Sequence, residues 1–323
     1  MDISIKPWQH VESSSLKGKD LLSLYDLTKL EIEEILKKCE TIKTMHNLGA
    51  DYKPLKGKTL GMIFEKSSTR TRVSFEVAMW QLGGYALFLS GKDIQIGRGE
   101  TIPDTARVLS RYLDGIMIRA YSHKDVEVLA KYADIPVING LTDYTHPCQV
   151  LADLFTIYEK KKKLHGLKLA FIGDGKNNMA NSLIFGCSKV GMDIAIASPK
   201  EFFPDKEVVD KAKADAMMNG SKIILTEDIV EAAKDADVLY TDVWTSMGQE
   251  EETEYRKKAF VGYQINQELV SVADKNVIVL HCLPAHRGEE ITEEVIEGPH
   301  SVIFDEAENR LHIQKAVLSL IMG

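Results

Sequence analysis

Short apolar runs alternate with helical patterns along most of this 323-residue chain. One series of runs begins at residues 60–64, and a second begins at residues 168–172, after a helical pattern over residues 149–161. Parallel strands need long crossover connections, usually helices, so this alternation is typical of parallel sheets covered by helices. The sequence therefore predicts an α/β protein with two such sheets.

The chain is long enough for two domains of ordinary size, because a single hydrophobic core rarely serves more than about 250–300 residues. Hydrophobic residues at 44% and charged residues at 27% match average globular usage. We predict a first domain over residues 1–147 and a second over residues 148–305. Helical patterns at residues 22–42 and 306–323 are expected to pack together on the first domain.

Composition and charge exclude several classes of function. The net charge of −8 argues against nucleic-acid binding, which needs a basic face, so an anion site must be a local concentration of arginine. No run approaches the ~20 apolar residues of a membrane span, and residues 1–10 hold no signal-peptide core. The scattered cysteines lack CxxC spacing, which fits reduced thiols in the cytoplasm. They are Cys39, Cys148, Cys187 and Cys282.

A polar turn over residues 67–71 separates the first strand-like run from a helical pattern. It brings the hydroxyls of Ser68, Thr69 and Thr71 together with the guanidinium of Arg70. A helix N-terminus leaves backbone N–H groups unpaired and carries partial positive charge, so this turn suits an oxyanion. The alternative is that Ser68 or Thr69 merely caps the helix. With the arginine present, we predict a phosphate site.

Other polar residues follow predicted strands, where open α/β sheets bind their ligands. Arg119 can direct a guanidinium fork at a carbonyl or phosphoryl oxygen, although alone it is an ordinary surface arginine. His146 and Gln149 flank Pro147 at a predicted helix start. There the imidazole and amide can polarise a carbonyl and recognise an NH2 group, and a capping or buried histidine is the alternative.

The loops that follow the strands of the second series are also polar. Gly173 and Gly175 invite a dinucleotide-binding interpretation, but Asn178 stands where the third glycine of that motif belongs. An asparagine at a helix start suits a carboxylate or an amino-acid backbone. Asp242 can bind a substrate ammonium, and Ser246 lies in a following loop that is expected to move, although an ordinary surface turn is equally consistent with the pattern.

A last strand is followed by residues 281–287, which include His281, Cys282 and His286. Zinc bound by these residues together with His146 and Cys148 would lack any usual structural spacing. We therefore predict no metal and expect a thiol that lines the cleft.

Together these segments resemble the aspartate/ornithine carbamoyltransferase family over nearly the whole length of the chain. The Ser-Thr-Arg-Thr and His-Pro-Cys-Gln motifs mark the family, and the Ser-Met-Gly loop and His-Cys-Leu-Pro favour ornithine over aspartate as the acceptor. The motifs lie at residues 68–71, 146–149, 246–248 with Asp242, 281–284, and 309–312 as Asn-Arg-Leu-His.

The resemblance implies transfer of a carbamoyl group from carbamoyl phosphate to the δ-amine of L-ornithine, giving L-citrulline and phosphate without a cofactor. It also implies small-molecule substrates, a homotrimer or a multiple of trimers, and a place in arginine metabolism, including arginine biosynthesis. The same site would serve synthesis of arginine and phosphorolysis of citrulline, and no local residue distinguishes the two.

The family's functional positions map onto this sequence at each motif. Carbamoyl phosphate would be bound by Ser68, Thr69, Arg70, Thr71, Gln95, Arg119, His146, Gln149 and Arg310, with Gln95 acting across a subunit boundary. Ornithine would be bound by Asn178, Asp242, Ser246, Met247, Cys282 and Leu283. The predicted catalytic residues are Arg119, His146, Asp242 and Cys282, and the sequence leaves open which of the last two accepts the proton of the amine.

Three other functions compete with this one. Within the family, putrescine or an acylated ornithine is an alternative acceptor, although the Ser-Met-Gly loop suits a free amino acid. Outside it, the chain could be a phosphometabolite-binding protein without catalysis, or an NAD-linked dehydrogenase that uses the loop at residues 173–175.

Overall fold

The computed structural model describes residues 16–94, 99–246, 248 and 250–323. Two parallel sheets are each flanked by helices. The strands are β1 Thr59–Phe64, β2 Tyr85–Ser90, β3 Gly115–Arg119, β4 Val137–Leu141, β5 Lys168–Ile172, β6 Asp193–Ala197, β7 Ile223–Thr226, β8 Val238–Thr241 and β9 Ile278–His281. The predicted α/β fold is confirmed.

The helices alternate with these strands, as the sequence pattern predicts. They are α1 Lys29–Asn47, α2 Thr69–Gln81, α3 Ile102–Leu109, α4 His123–Tyr132, α5 Pro147–Lys161, α6 Asn178–Val190, α7 Lys206–Asn219, α8 Ile229–Ala233, α9 Thr253–Ala259, α10 Gln267–Val272, α11 Glu293–Ile296 and α12 Ile303–Met322. None of those within the described ranges is both long and apolar enough to cross a membrane.

The order of the strands determines where a ligand can bind. The first sheet has the order β2-β1-β3-β4 and the second has the order β7-β6-β5-β8-β9. The direction of winding therefore reverses between β1 and β3 in the first sheet, and between β5 and β8 in the second. At such a reversal the loops leaving two adjacent strands diverge and open a crevice at the carboxyl ends of the strands.

Helices α5 and α12 connect the two sheets. Helix α5 runs from the end of the first sheet to the start of the second, and eleven of its fifteen residues are buried. Helix α12 packs against α1, α2, α5 and the end of β9. The C-terminal helix thus contacts elements of both halves, and the domain limits at residues 147 and 148 stay a prediction.

One predicted helix begins later than its pattern suggests. The apolar spacing predicts a helix over residues 22–42, but α1 begins at Lys29, and Leu24–Asp26 forms a separate 3-10 turn. The Thr28 side chain accepts a hydrogen bond from the backbone of Glu31, and the Glu31 carboxylate accepts one from the backbone of Thr28. This capping box satisfies the first N–H groups and starts the helix at that point.

Candidate active site

A cavity of about 630 Å³ lies at the carboxyl ends of both sheets. It is lined by residues from the loops after β1, β3, β4, β5, β8 and β9, and by Arg310 of α12. Of the predicted site residues, those that line it are Ser68, Thr69, Arg70, Thr71, Arg119, His146, Gln149, Asn178, Asp242, Ser246, Cys282, Leu283 and Arg310. Gln95 and Met247 lie outside the described residues.

The polar turn after β1 both caps a helix and lines the cavity. Ser68 is the N-cap of α2, and its hydroxyl accepts a hydrogen bond from the backbone N–H of Thr71 at 3.2 Å. The turn also lines the cavity, where Arg70 Nη2 donates to the carbonyl oxygen of Leu283 at 2.6 Å. Arg70 therefore spans the gap between the end of β1 and the end of β9.

Three arginines concentrate positive charge on one side of the cavity, where Arg119 and Arg310 are buried and Arg70 is exposed. Burial lowers the pKa of Arg119 to about 10, with Arg310 and Arg70 adding to the effect, and burial also lowers the pKa of Arg310. Arg119 Nε and the Nε and Nη2 of Arg310 have no hydrogen-bond partner among the described residues. Buried, unpaired donors of this kind make an anion-binding wall.

The imidazole of His146 lies beside these arginines and is buried. Burial lowers its pKa well below the usual 6.5, and Arg310, Arg119 and Arg70 lower it further. The side chain does not cap α5, and Nδ1 has no hydrogen-bond partner within the described ranges. His146 is therefore a neutral ring in the cavity wall, with Nδ1 buried and unpartnered among the described residues.

A neutral, buried His146 predicts a loss of stability in acid. An unfolded histidine has a pKa near ~6.5, so the unfolded chain binds a proton as the pH falls through this value. The folded imidazole stays neutral there, and proton binding therefore stabilises the unfolded state. The free energy of unfolding should then fall by up to about 1.4 kcal/mol per pH unit for this residue. Thermal unfolding midpoints from neutral to mildly acidic pH should show a shallower dependence in His146→Gln, and an unchanged slope would contradict the assignment.

A carboxylate beside a thiol also lines the cavity. Cys282 Sγ donates to Asp242 Oδ1 at 3.1 Å, and the backbone N–H of Val243 donates to the same oxygen at 2.8 Å. Burial raises the pKa of Asp242, and burial together with the Asp242 charge raises the pKa of Cys282 well above its usual value. The thiol is thus held neutral, and the carboxylate is the acceptor of the pair.

A buried histidine next to this pair has a structural role that its place in the sequence does not indicate. His281 Nδ1 accepts a hydrogen bond from the backbone N–H of Leu283 at 2.9 Å, so Nε2 carries the proton and donates to Glu290 Oε1 at 3.1 Å. This geometry holds the chain on both sides of Cys282. Glu290 lies nine residues beyond His281, and no motif spacing identifies it.

Of the two asparagines at the start of α6, one caps the helix and the other lines the cavity. Asn177 is the N-cap, and its Nδ2 also donates to Asp242 Oδ2 at 3.3 Å. Asn178 lines the cavity and donates to the carbonyl oxygen of Thr142 at 2.6 Å. The sequence motif indicated Asn178 alone, because the helix boundary that makes Asn177 the cap is set by the structure.

The glycine pattern before α6 has a packing explanation. A Cβ atom on Gly175 would lie 2.7 Å from the carbonyl oxygen of Phe202, so the chain approaches too closely there for any larger residue. The absence of a side chain at this position is thus required by the neighbouring 3-10 turn, Lys200–Phe202. A bound dinucleotide is not needed to account for it.

Lys66 and Tyr121 also line the cavity but were not predicted. The Lys66 side chain is 4% exposed, pairs with Asp143, and places Nζ 4.3 Å from the centroid of the Tyr121 ring. Lys66 directly precedes the polar turn, and this position is the sequence signal from which its place in the cavity could have been predicted.

Comparisons with known proteins find relatives over nearly the whole chain. Residues 19–159 match the carbamoyl-P binding domain of aspartate/ornithine carbamoyltransferase, and residues 165–321 match its Asp/Orn binding domain. A relative from Oceanobacillus iheyensis, an ornithine carbamoyltransferase, is 59% identical over 97% of this chain and 97% of its own. The solved structure of ornithine carbamoyltransferase from Pyrococcus furiosus is 56% identical and covers 96% of this chain and 99% of its own, with a TM-score of 0.94.

The fold and these matches define the class of protein as a carbamoyltransferase enzyme. The chain belongs to the aspartate/ornithine carbamoyltransferase family. The family predicted from the motifs is thereby confirmed.

Proposed function

We propose that the chain is an ornithine carbamoyltransferase, which transfers the carbamoyl group of carbamoyl phosphate to the δ-amine of L-ornithine and releases L-citrulline and phosphate. The observation that carries this proposal is that a cationic wall and an acceptor wall line one cavity. Arg70, Arg119 and Arg310 form a cationic wall for an anion, and Asp242 with Cys282 forms an acceptor wall for an amine.

The phosphate half of the proposed site is the turn at the start of α2. Ser68, Thr69, Arg70 and Thr71 supply hydroxyl, backbone and guanidinium donors to the phosphate oxygens. Gln95, outside the described residues, is proposed to complete this half from a neighbouring subunit.

The carbamoyl half lies between the phosphate turn and α5. As the amine attacks, negative charge grows on the carbamoyl oxygen, and a donor already aimed at that oxygen commonly lowers the barrier by ~3–4 kcal/mol. Arg119 and His146 are the proposed donors, since both are buried and both keep an unpaired nitrogen. Gln149 is proposed to accept from the carbamoyl NH2 group.

The amine half is built around Asp242. The δ-amine of ornithine, with a free pKa near ~10.4, must lose a proton before its lone pair can attack. Because Cys282 already donates its proton to Asp242, the carboxylate is the proposed acceptor. The nitrogen then forms a bond to the carbamoyl carbon, and the bond from that carbon to the phosphate oxygen breaks with its electron pair. The departing phosphate takes up the second proton of the nitrogen, which leaves neutral citrulline nitrogen and hydrogen phosphate.

The remaining ornithine contacts are proposed for residues at the rim of the same wall. These are Asn178, Ser246 and Leu283, with Met247 outside the described residues. Binding both substrates in one cavity supplies a further large share of the rate, because effective molarities of well-oriented groups reach ~10⁵ M or more.

Replacing Cys282 with alanine should weaken ornithine use and shift the pH profile. Without the thiol donor, the pKa of Asp242 rises further, so the ionised carboxylate forms only at higher pH. We expect the acid limb of kcat/KM for ornithine to move to higher pH, with a loss of about tenfold or more near neutrality, the effect of one hydrogen bond to a charged group.

Cys282→Ser is the matched control, because a hydroxyl can still donate to Asp242. Its acid limb should stay near that of the wild-type enzyme. If the profiles of Cys282→Ala and wild type coincide, the thiol has no part in setting the state of the carboxylate.

Product assays with different acceptors test the proposed function directly. Carbamoyl phosphate should give citrulline with L-ornithine, and little product with putrescine or an acylated ornithine. Preference for either alternative acceptor would overturn ornithine as the substrate, and no product with any acceptor would favour a binding protein without catalysis. A thermal shift with NAD would support the dehydrogenase alternative.

The wider setting is proposed on the same basis. A relative from Pyrococcus furiosus is named an anabolic ornithine carbamoyltransferase, which supports a place in arginine biosynthesis. We propose a cytoplasmic homotrimer or a multiple of trimers. Light scattering of the purified protein would measure the mass, and a monomer would contradict the proposed contribution of Gln95 across a subunit boundary.

A further inference from the structure

Two carboxyl groups lie behind the cavity and take no part in the proposed mechanism. Asp153 is one helical turn after Gln149 on α5, and Glu306 is one turn before Arg310 on α12. Both carboxyl side chains are completely buried, and neither lines the cavity. They therefore stand one layer behind two residues of the proposed carbamoyl phosphate site.

The two carboxyl groups share one donor. Gln149 Nε2 donates to Asp153 Oδ1 at 2.8 Å and to Glu306 Oε1 at 2.9 Å. Gln149 Oε1 accepts from Arg310 Nη1. Because both amide hydrogens are used, the polar group that Gln149 can offer to a ligand is the remaining lone pair of its oxygen.

The hydrogen bonds around Glu306 identify it as the ionised member of the pair. Its Oε1 also accepts from the hydroxyl of Tyr240 at 3.3 Å, and its Oε2 accepts from the backbone N–H of His281 at 2.9 Å. Asp153 Oδ2, in contrast, has no donor among the described residues. Two buried carboxyls this close cannot both ionise without a large cost, so one oxygen must carry a proton, and Asp153 Oδ2 is the oxygen left for it.

We propose that Asp153 and Glu306 hold one proton between them, carried on Asp153 Oδ2, and that this carboxyl pair is a positioning element. It holds the amide of Gln149 with its oxygen toward the NH2 group of carbamoyl phosphate. The inference rests on the proposed function for the identity of that ligand. If the amide were reversed, the NH2 group of Gln149 would face the NH2 group of the ligand, and two donors cannot form a hydrogen bond. By holding the amide oxygen toward the ligand, the carboxyl pair therefore favours a carbamoyl group over an acyl group that lacks NH2.

The charges facing the pair fit one negative charge. The cation beside it is Arg310, and the other titratable groups that face it are Tyr240 of β8, Cys187 of α6 and Cys282 after β9. Burial raises the pKa of both carboxyl groups, and the negative charge of one disfavours ionisation of the other, so the pair retains a single proton. A second negative charge would have no second cation to balance it within this group.

Infrared spectroscopy of the whole enzyme tests the shared proton without any assay. Below neutral pH the wild-type protein should show the C=O band of a buried protonated carboxyl, which shifts in heavy water and is missing from Asp153→Asn. A wild-type minus Asp153→Asn difference spectrum without that band would overturn the shared proton, whatever the enzyme catalyses.

Kinetics test the positioning role once wild-type citrulline formation has been measured. Asp153→Ala should lower kcat/KM for carbamoyl phosphate about tenfold, the effect of one buried hydrogen bond, and Asp153→Asn should restore most of it, because its NH2 group donates to Glu306 as the proton does.

Glu306→Gln provides the opposite case. Its amide must direct an NH2 group at the donors Gln149, Tyr240 or the His281 backbone, so a loss of about tenfold or more is expected, carried mainly by the KM for carbamoyl phosphate. Circular dichroism identifies variants that fail to fold. Equal activity of Asp153→Asn and Glu306→Gln in folded proteins would overturn the assignment of the proton to Asp153.

Discussion

Replacing Arg70 with alanine is expected to weaken carbamoyl phosphate binding by about a hundredfold or more. Hydrogen bonds to charged groups contribute about 1.5–3 kcal/mol each, and a guanidinium that faces a phosphate makes two of them. Arg70 also donates to the carbonyl oxygen of Leu283, so the variant loses a contact between the ends of β1 and β9. Calorimetric titration with carbamoyl phosphate measures the change.

The fold should survive this change, because Arg70 is exposed and the cap of α2 depends on Ser68 and Thr71 instead. Arg107→Ala is the control, since this arginine lies on α3, is exposed and pairs with Asp104 outside the cavity. Surface substitutions of that kind change energies by about 0.5 kcal/mol or less. Unaltered binding in Arg70→Ala would remove the turn from the phosphate site.

Replacing Arg119 with glutamine is expected to lower kcat by about a hundredfold to a thousandfold. The residue ends β3, is 8% exposed and lines the cavity, so burial fixes its guanidinium in the cavity wall before any substrate arrives. Loss of one preorganised donor to a developing oxyanion typically costs this much in kcat, because the interaction is strongest in the transition state. Steady-state kinetics at saturating substrates measure it.

Arg119→Lys separates charge from geometry. Lysine keeps a positive charge but offers a single point donor instead of a planar fork, so it should recover only a small part of the lost rate. A folded Arg119→Gln enzyme with kcat near wild type would show that Arg119 serves binding alone. Full rescue by lysine would show that charge, and not the fork, is what the site requires.

The class of fold was readable from local patterns because they are strong in this chain. A buried parallel strand shows as an unbroken apolar run, and residues 168–172 coincide with β5. The predicted start of α1 was wrong because the apolar spacing continues across Leu24–Asp26. The actual start is determined by the capping box of Thr28 and Glu31. Periodicity reports which residues are apolar, but a cap depends on individual hydrogen bonds.

The motif residues of the site were also readable, because each follows a strand and carries distinctive chemistry. The residues behind them were not. Glu290, Asp153 and Glu306 each lie in a helix or a loop where an acidic residue looks like ordinary surface charge, yet all three are completely buried. Burial of a charged side chain is a property of packing between distant segments, and no local spacing indicates it.

By itself, the sequence determined the α/β class, the polar turn at residues 67–71, and the family to which the chain belongs. Only the tertiary structure decided how these parts act on one another. It brings Arg70 of α2 to Leu283 after β9, and Gln149 of α5 between Asp153 and Glu306. The physical reason is range: caps and strand patterns are fixed by neighbours along the chain, whereas the charge state of a buried group depends on the partners that folding places around it.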